Sequence, residues 1–266
     1  NPFRCLEFRQ RAVHARNHDV GVLGPEDDGR ADLQHVAVNA FPADAFVSVH
    51  APRSVPDVSV LMPLFEQQRW AGAAIASVLA QREVSCEVVI SDDASSDGTF
   101  ASALASVEAA LRAQPDLRHQ IVMRRGTRRL ARDHLLLLTR HAACDVVAWA
   151  HGDDVSSPLR MRVLLDALEA RGAALAASTY SLQFVDGTGF ARRVLRRVRQ
   201  PRRSWPALRG CSLRAAVQGR WWLGASTQAW RRSGLAHFPP MSSSYLSAGH
   251  DRLLPIRAAV SGGIVA

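Results

Sequence analysis

The pattern of apolar and polar positions divides the chain near residue 57. Residues 1–56 show no sustained period, carry the polar turn "GPEDDGR" and finish in "APRSVPD", which reads as a linker. From Val58 onward, short continuous apolar runs alternate with longer amphipathic stretches. "VSVLM" (58–62) is a β-branched run that Pro63 is expected to end, and "WAGAAIASVLAQ" (70–81) sets Ile75, Val78 and Leu79 at helical spacing. "CEVVIS" (86–91) reads as a second buried-type strand, residues 98–113 as a helix, and "HQIVMRR" (119–125) as a third strand. "LARDHLLLLTRHAA" (130–143) is helical and "DVVAWA" (145–150) is a fourth strand. Ser157 is expected as N-cap and Pro158 at the first helical position of a helix with Met161, Leu164, Leu165 and Leu168 on one face; "ALAAST" (174–179) is a fifth strand.

Strands this apolar have no face to spare for water. Alternating with helices, they predict an α/β fold: a Rossmann-like sandwich whose mostly parallel central sheet carries helices on both faces. In such a sheet the ligand lies beyond the carboxyl ends of the strands. The expected division is 1–56, an N-terminal extension or linker of unassigned role, and 57–266, one globular domain, with a C-terminal truncation left open.

Composition narrows the classes. The chain of 266 residues is 47% hydrophobic, enough for one sizeable core, with a formal charge of +9 carried entirely by arginine, since no lysine is present. That balance favours anionic partners without choosing among nucleotides, phospholipids and nucleic acid. The cysteines, Cys5, Cys86, Cys144 and Cys211, are widely spaced and form no CxxC pair, which argues against a disulfide framework or a zinc site and suits a reducing cytosol. The N-terminus is too charged for a signal peptide, and no run approaches the roughly 18 apolar residues of a membrane helix. The expected location is the cytoplasm, with peripheral contact at the inner face of the cell membrane left open. The chain opens on Asn1 rather than Met, so a fragment or a processed chain is expected.

Candidate chemistry gathers where strands end: "PLFEQ" (63–67), "SDDASSDGT" (91–99) and "HGDD" (151–154). Acids on three neighbouring strand ends would repel one another unless a cation or a donor-rich ligand sat among them. Mg²⁺ or Mn²⁺ with a diphosphate meets that need. Taken singly, Asp153–Asp154 reads equally well as a capping turn, and "SDDASSDGT" as a polar loop.

In order and spacing, "VSVLMPLFEQ", "AIASVLAQ", "EVVISDDASSDGT", "LARDH" and "VVAWAHGDD" resemble the family-2 glycosyltransferases of the GT-A fold, over about residues 57–265. The resemblance implies an inverting, metal-dependent enzyme that moves a sugar from a nucleotide-diphosphate donor to an acceptor hydroxyl, in bacterial surface polysaccharide or glycolipid assembly. It implies donor contacts at Pro63, Phe65 and Glu66, where the family's aromatic is usually followed by Asn; base binding by Asp93; a nucleotide neighbour in Arg132; a ribose contact from Asp153; and the metal, Mn²⁺ or Mg²⁺, on Asp154. For Arg132 a solvated helix position stays open. His151 reads as a loop residue beside the site more readily than as a further ligand.

Inversion needs a base on the face opposite the leaving group. Asp251 opens a segment with apolar positions Leu253, Leu254, Ile256 and Val260, so it stands at a helix start, and the resemblance makes it the catalytic base. Its neighbour is His250, where the family carries Glu. Favouring the positive helix end is the structural alternative for Asp251. Trp221 and Trp222, in a predicted strand-turn (221–230), are candidates for stacking on a sugar or for core packing. Residues 192–209 hold eight arginines and no acid, which suits a surface facing anionic lipid or a phosphorylated acceptor, or a solvated loop; no nucleic-acid motif accompanies them. The expected partners are therefore the nucleotide sugar, a glycan or lipid-linked acceptor and an anionic membrane surface. A sugar nucleotidyltransferase is the rival enzyme, although "PLFEQQRW" lacks the glycine-rich loop it requires. A non-catalytic nucleotide-sugar-binding module is the rival outside enzymes.

Overall fold

A computed structural model describes residues 41–178, 224–239 and 250–265, with the side chains of 250–252 outside the description. Among the described residues, eight strands form one mixed sheet: β1 (Phe46–His50), β2 (Val58–Leu64), β3 (Cys86–Asp92), β4 (Gln120–Arg125), β5 (Val146–Trp149), β6 (Leu175–Ala177), β7 (Gln228–Arg231) and β8 (Ile264–Val265). The helices are α1 (Ala71–Leu79), α2 (Thr99–Ala113), α3 (Arg132–His141), α4 (Arg160–Arg171) and α5 (His250–Ser261). The sheet order is β1-β4-β3-β2-β5-β7-β6-β8. The central four, β4, β3, β2 and β5, run parallel, while β1 and β7 are antiparallel to their neighbours in that block. The chain winds outward from β2 to β4 and then crosses to β5 on the other side. The switch point lies between β2 and β5, where such sheets hold ligands.

The two sheet faces are sorted by alternation. Val60, Met62, Val88, Ile90, Ile121, Met123 and Ala148 pack with α1, α2 and α4 through residues such as Ile75, Val78, Phe100, Leu104, Met161 and Leu164. Leu61, Val89, Val147, Trp149 and Trp230 face the other way, onto Leu138 of α3 and Leu254 and Ala258 of α5. Both faces are thus covered, which is why the strands read as unbroken apolar runs.

Four features differ from the sequence reading. Pro63 does not end its strand: β2 runs to Leu64, and Pro63 lies opposite Ser91. The proline is tolerated because β5 pairs only with residues 59–61 of β2, so no ladder partner on that side calls for its missing N–H. Helix α4 starts at Arg160 rather than at Pro158; a turn (Arg160 N–H to Ser157 O, 3.0 Å) precedes it, and the Met161 amide is capped from outside by Gln81 Oε1 at 2.9 Å.

Residues 41–50, read as part of an extension or linker, build into the sheet. β1 pairs antiparallel with β4, Phe41 is 4% exposed and meets Phe100 edge-on at 5.0 Å, and Asp44 binds Arg124. In α5, Val260 points to solvent, whereas Arg257 is buried with its guanidinium 5.3 Å from the Phe238 ring centre. Cys86 and Cys144 are buried, the Cys144 thiol donating to Pro56 O at 3.4 Å, and burial pushes the Cys86 thiol up to about 12. No helix among the described residues is long and apolar enough to cross a membrane.

Candidate nucleotide-sugar and metal site

The loops after β2, β3 and β5 meet at the switch point and are cross-linked there. The Glu66 amide donates to Ser95 Oγ at 2.9 Å, and Glu66 Oε1 accepts from the Ser96 amide (2.7 Å) and hydroxyl (3.0 Å). The Gln67 amide donates to Thr99 Oγ1 at 2.7 Å. Gly152 is pressed against the end of β2: a Cβ there would fall 2.4 Å from both Gln67 Oε1 and Leu64 Cδ2. The three strand ends therefore hold one another.

Glu66 has φ 52° and Ala94 62°, so the loops after β2 and β3 each contain a non-glycine residue in the left-handed region, as does the loop before α3 at Ala131 (φ 52°). At Glu66 this gives a physical sense to the Asn usual in the resembling family, because Asn adopts that conformation more readily. The Glu66 carboxylate is spent on Ser96, so its part at the site is to tie loops together.

Asp92 and Asp93 are both buried, at 2% and 3% exposure. Asp92 accepts from the Ser95 amide (3.0 Å) and hydroxyl (2.5 Å); burial raises its pKa, partly offset by those bonds. Asp93 directs both oxygens at backbone: Oδ1 accepts from Leu130 N–H and Oδ2 from Ala131 N–H, each at 2.8 Å. It thereby anchors the loop that carries Arg128, Arg129 and Arg132. The loop's other end is held by Asp44, which binds Arg124 Nη2 and the amide and hydroxyl of Thr127, and by Gly126, whose amide donates to Asp92 O at 2.9 Å. Beneath the loop, His134 and Ser91 Oγ share a hydrogen bond of 2.7 Å, and burial depresses the His134 pKa to about 4, against the pull of Asp93.

Phe65 is half-buried, with the Arg129 guanidinium 4.1 Å over its ring centre. Pro63 is half-buried, and Arg132 opens α3 exposed to solvent. After β5, a turn closed by the Asp154 amide on His151 O (3.2 Å) leaves Asp153 and Asp154 exposed and His151 half-buried. One potential ligand atom from each of the three lies within 4.8 Å of the others. His151, read from sequence as a loop residue beside the site more readily than as a further ligand, stands with the two acids; the three-residue spacing that closes the turn was the available signal. Arg160 carries no sequence signal of its role. Its guanidinium donates to Trp149 O (2.9 Å), Ser226 O and Ser156 Oγ (3.3 Å), so it fastens the end of β5 to the segment before β7. Burial lowers its pKa to about 10, and the negative charge of Asp154 counters that shift.

Helix α5 begins at His250, so the Asp251 backbone stands in its first turn, as expected; the Asp251 side chain lies outside the described residues. Trp221, Trp222 and the arginine stretch 192–209 also lie outside them.

Comparison with known proteins agrees with this geometry. The chain is 32% identical over 118 residues to the Bacillus subtilis (strain 168) protein named "Putative glycosyltransferase EpsE", covering 44% of this chain and 40% of the relative. Among solved structures, S. aureus TarS 1–349 in complex with UDP superposes with a TM-score of 0.53 at 16% identity, over 79% of this chain and 57% of that one. The mannosyltransferase PcManGT from Pyrobaculum calidifontis, in complex with GDP-Man and Mn²⁺, gives 0.50 at 19% identity, over 81% and 56%. The chain thus spans less than two thirds of the length of each. The likeness to the solved structures identifies the fold as the GT-A type. The family model of Glycosyl transferase family 2 matches residues 59–222, more than half of the chain, and with the site at the switch point of a GT-A sheet this chain belongs to that family.

Proposed function

We propose that the chain is a metal-dependent, inverting glycosyltransferase that moves a sugar from a nucleoside-diphosphate donor to an acceptor hydroxyl in bacterial surface polysaccharide or glycolipid assembly. The observation that carries this reading is the grouping of His151, Asp153 and Asp154 at the end of β5, locked to the end of β2 through Gly152. The donor class follows the relatives, which were solved with UDP and with GDP-Man.

The donor set fits a divalent cation: two exposed carboxylates and an imidazole on one turn suit Mn²⁺ or Mg²⁺ in size and charge. Asp154 would hold it with Asp153 alongside, facing the ribose. When bound, such a cation neutralises charge on a diphosphate leaving group. The remaining roles belong to the chain's own side chains. Phe65 offers an aromatic face to the base, with Pro63 and Glu66 shaping the strand end beneath it. Asp93 has its oxygens on the loop amides and keeps lone pairs for a base N–H, since an ionised carboxylate accepts about four bonds. Arg132 and its loop supply positive charge along the donor. Asp251 takes the acceptor's proton, on the face opposite the departing diphosphate.

The arginine stretch 192–209 is assigned to contact with anionic lipid or a phosphorylated acceptor; contact with lipid would bring the protein to the inner face of the cell membrane. A panel of nucleotide sugars screened for thermal stabilisation, with Mn²⁺ and with chelator, tests the reading. A selective, metal-dependent shift supports it, and absence of any shift across UDP- and GDP-sugars contradicts it.

A further inference from the structure

Of the three donors at the end of β5, His151 differs in kind. Its imidazole nitrogen is softer than a carboxylate oxygen, and ligand type is what separates divalent cations of similar charge. The turn that presents it is fixed at both ends. Its backbone closes from Asp154 N–H to His151 O at 3.2 Å, and Gly152 packs against Leu64 and Gln67, whose side-chain ends would have to shift to admit a Cβ. Six-coordinate cations with bonds near 2.1 Å hold opposite ligand atoms about 4.2 Å apart. Adjacent ligand atoms on such an ion lie about 3.0 Å apart, so the three atoms, all within 4.8 Å of one another, reach a shared ion by drawing together through side-chain rotation.

We propose that His151 is a direct metal ligand, making the site one nitrogen and two carboxylates and biasing it toward transition-metal cations such as Mn²⁺ and Co²⁺ over Mg²⁺. This rests on the metal dependence proposed above and adds the ligand and the selectivity.

The test uses the full 266-residue chain with UDP, and separately with GDP, as the nucleotide probe. Mn²⁺ affinity is followed by electron paramagnetic resonance, ¹⁴N coupling by electron spin-echo modulation, and Mg²⁺ by competition. The wild type is expected to show imidazole nitrogen coupled to Mn²⁺. His151→Ala should lose that coupling and weaken Mn²⁺ binding by at least about tenfold, the lower end of what even an outer-shell partner contributes, while Mg²⁺ affinity changes little. His151→Asp should narrow the gap between the two metals. If Mn²⁺ binds without nitrogen coupling, or if the coupling survives in His151→Ala, the role of His151 is overturned while the metal-dependent reading stands. If Mn²⁺ binds with neither nucleotide, both fall.

Discussion

The guanidinium of Arg129 lies 4.1 Å over the ring centre of Phe65. Arg129 comes from the loop before α3 and Phe65 from the end of β2, so the contact joins two of the loops that frame the site. An aromatic face that attracts a planar cation will also accept a planar base. Stacking a base on an aromatic side chain contributes about 1–3 kcal/mol in nucleic-acid complexes. Phe65→Ala is therefore expected to weaken binding of the cognate nucleoside diphosphate by roughly tenfold or more, read by calorimetry. An unchanged affinity would mean the base lies elsewhere.

Asp93 is the anchor of that loop. Removing its carboxylate leaves the Leu130 and Ala131 amides without their charged acceptor, and hydrogen bonds to charged groups contribute about 1.5–3 kcal/mol each. With some relaxation of the loop, Asp93→Ala should destabilise the fold by about 2–4 kcal/mol in urea unfolding. Amide exchange over residues 126–131 should speed up more than over β3. Uniform acceleration across the sheet would show a global effect instead.

Ala94 holds φ 62° in the loop after β3. Such a conformation costs a non-glycine residue about 1–3 kcal/mol, and glycine's extra chain entropy returns roughly 0.5–1 of it. Ala94→Gly should stabilise the protein by about 1 kcal/mol, seen as a higher urea midpoint at unchanged slope. A loss of stability would contradict the strained geometry.

His134 sets a pH dependence. Its folded pKa of about 4 lies below the ordinary 6.5, because burial disfavours its charged form. Between these values the unfolded chain binds a proton that the folded chain does not, so stability must fall as pH drops from 6.5 to 4, by up to about 1.4 kcal/mol per unit. The raised pKa of Asp92 works in the opposite direction over the lower part of this window. His134→Gln keeps a polar partner for Ser91 and should remove the His134 part of the slope while leaving that of Asp92. Identical slopes in the two proteins would exclude the assignment.

Much of this was legible in the sequence, for a physical reason. A strand buried on both faces must be apolar throughout, so β2, β3, β4 and β5 announce themselves, as do Ile75, Val78 and Met161 on helices that bury one stripe. The strand-end acids were equally visible, but which of them tie loops together, as Glu66, Asp92 and Asp93 do, depends on partners distant in sequence or in the folded loop. What stayed hidden depends on contacts distant in sequence. β1 is a five-residue edge strand whose pairing is set by β4 rather than by its own pattern, so residues 41–50 looked like linker. Pro63 extends β2 because β5 stops short of it, a fact of register. Arg160 is held by carbonyls of two other segments, and Asp93 by a loop 37 and 38 residues away. For His151 the three-residue spacing to Asp154 was a sequence signal, but the turn's backbone bond and the grouping of the three ligand atoms are visible only in the structure.

The proposed reaction is metal-dependent sugar transfer with Asp154 at the metal and Asp251 as base. The direct measurement is release of nucleoside diphosphate from the stabilising nucleotide sugar, in the presence of Mn²⁺ and acceptor, for the wild type, Asp154→Ala and Asp251→Asn. Loss of a positioned base costs about 10²- to 10⁴-fold in rate. Asp251→Asn should therefore fall by that factor with donor affinity held within a few-fold, whereas Asp154→Ala should lose both donor binding and turnover. Wild-type rates in Asp251→Asn, or turnover in Asp154→Ala that ignores added chelator, would contradict the account.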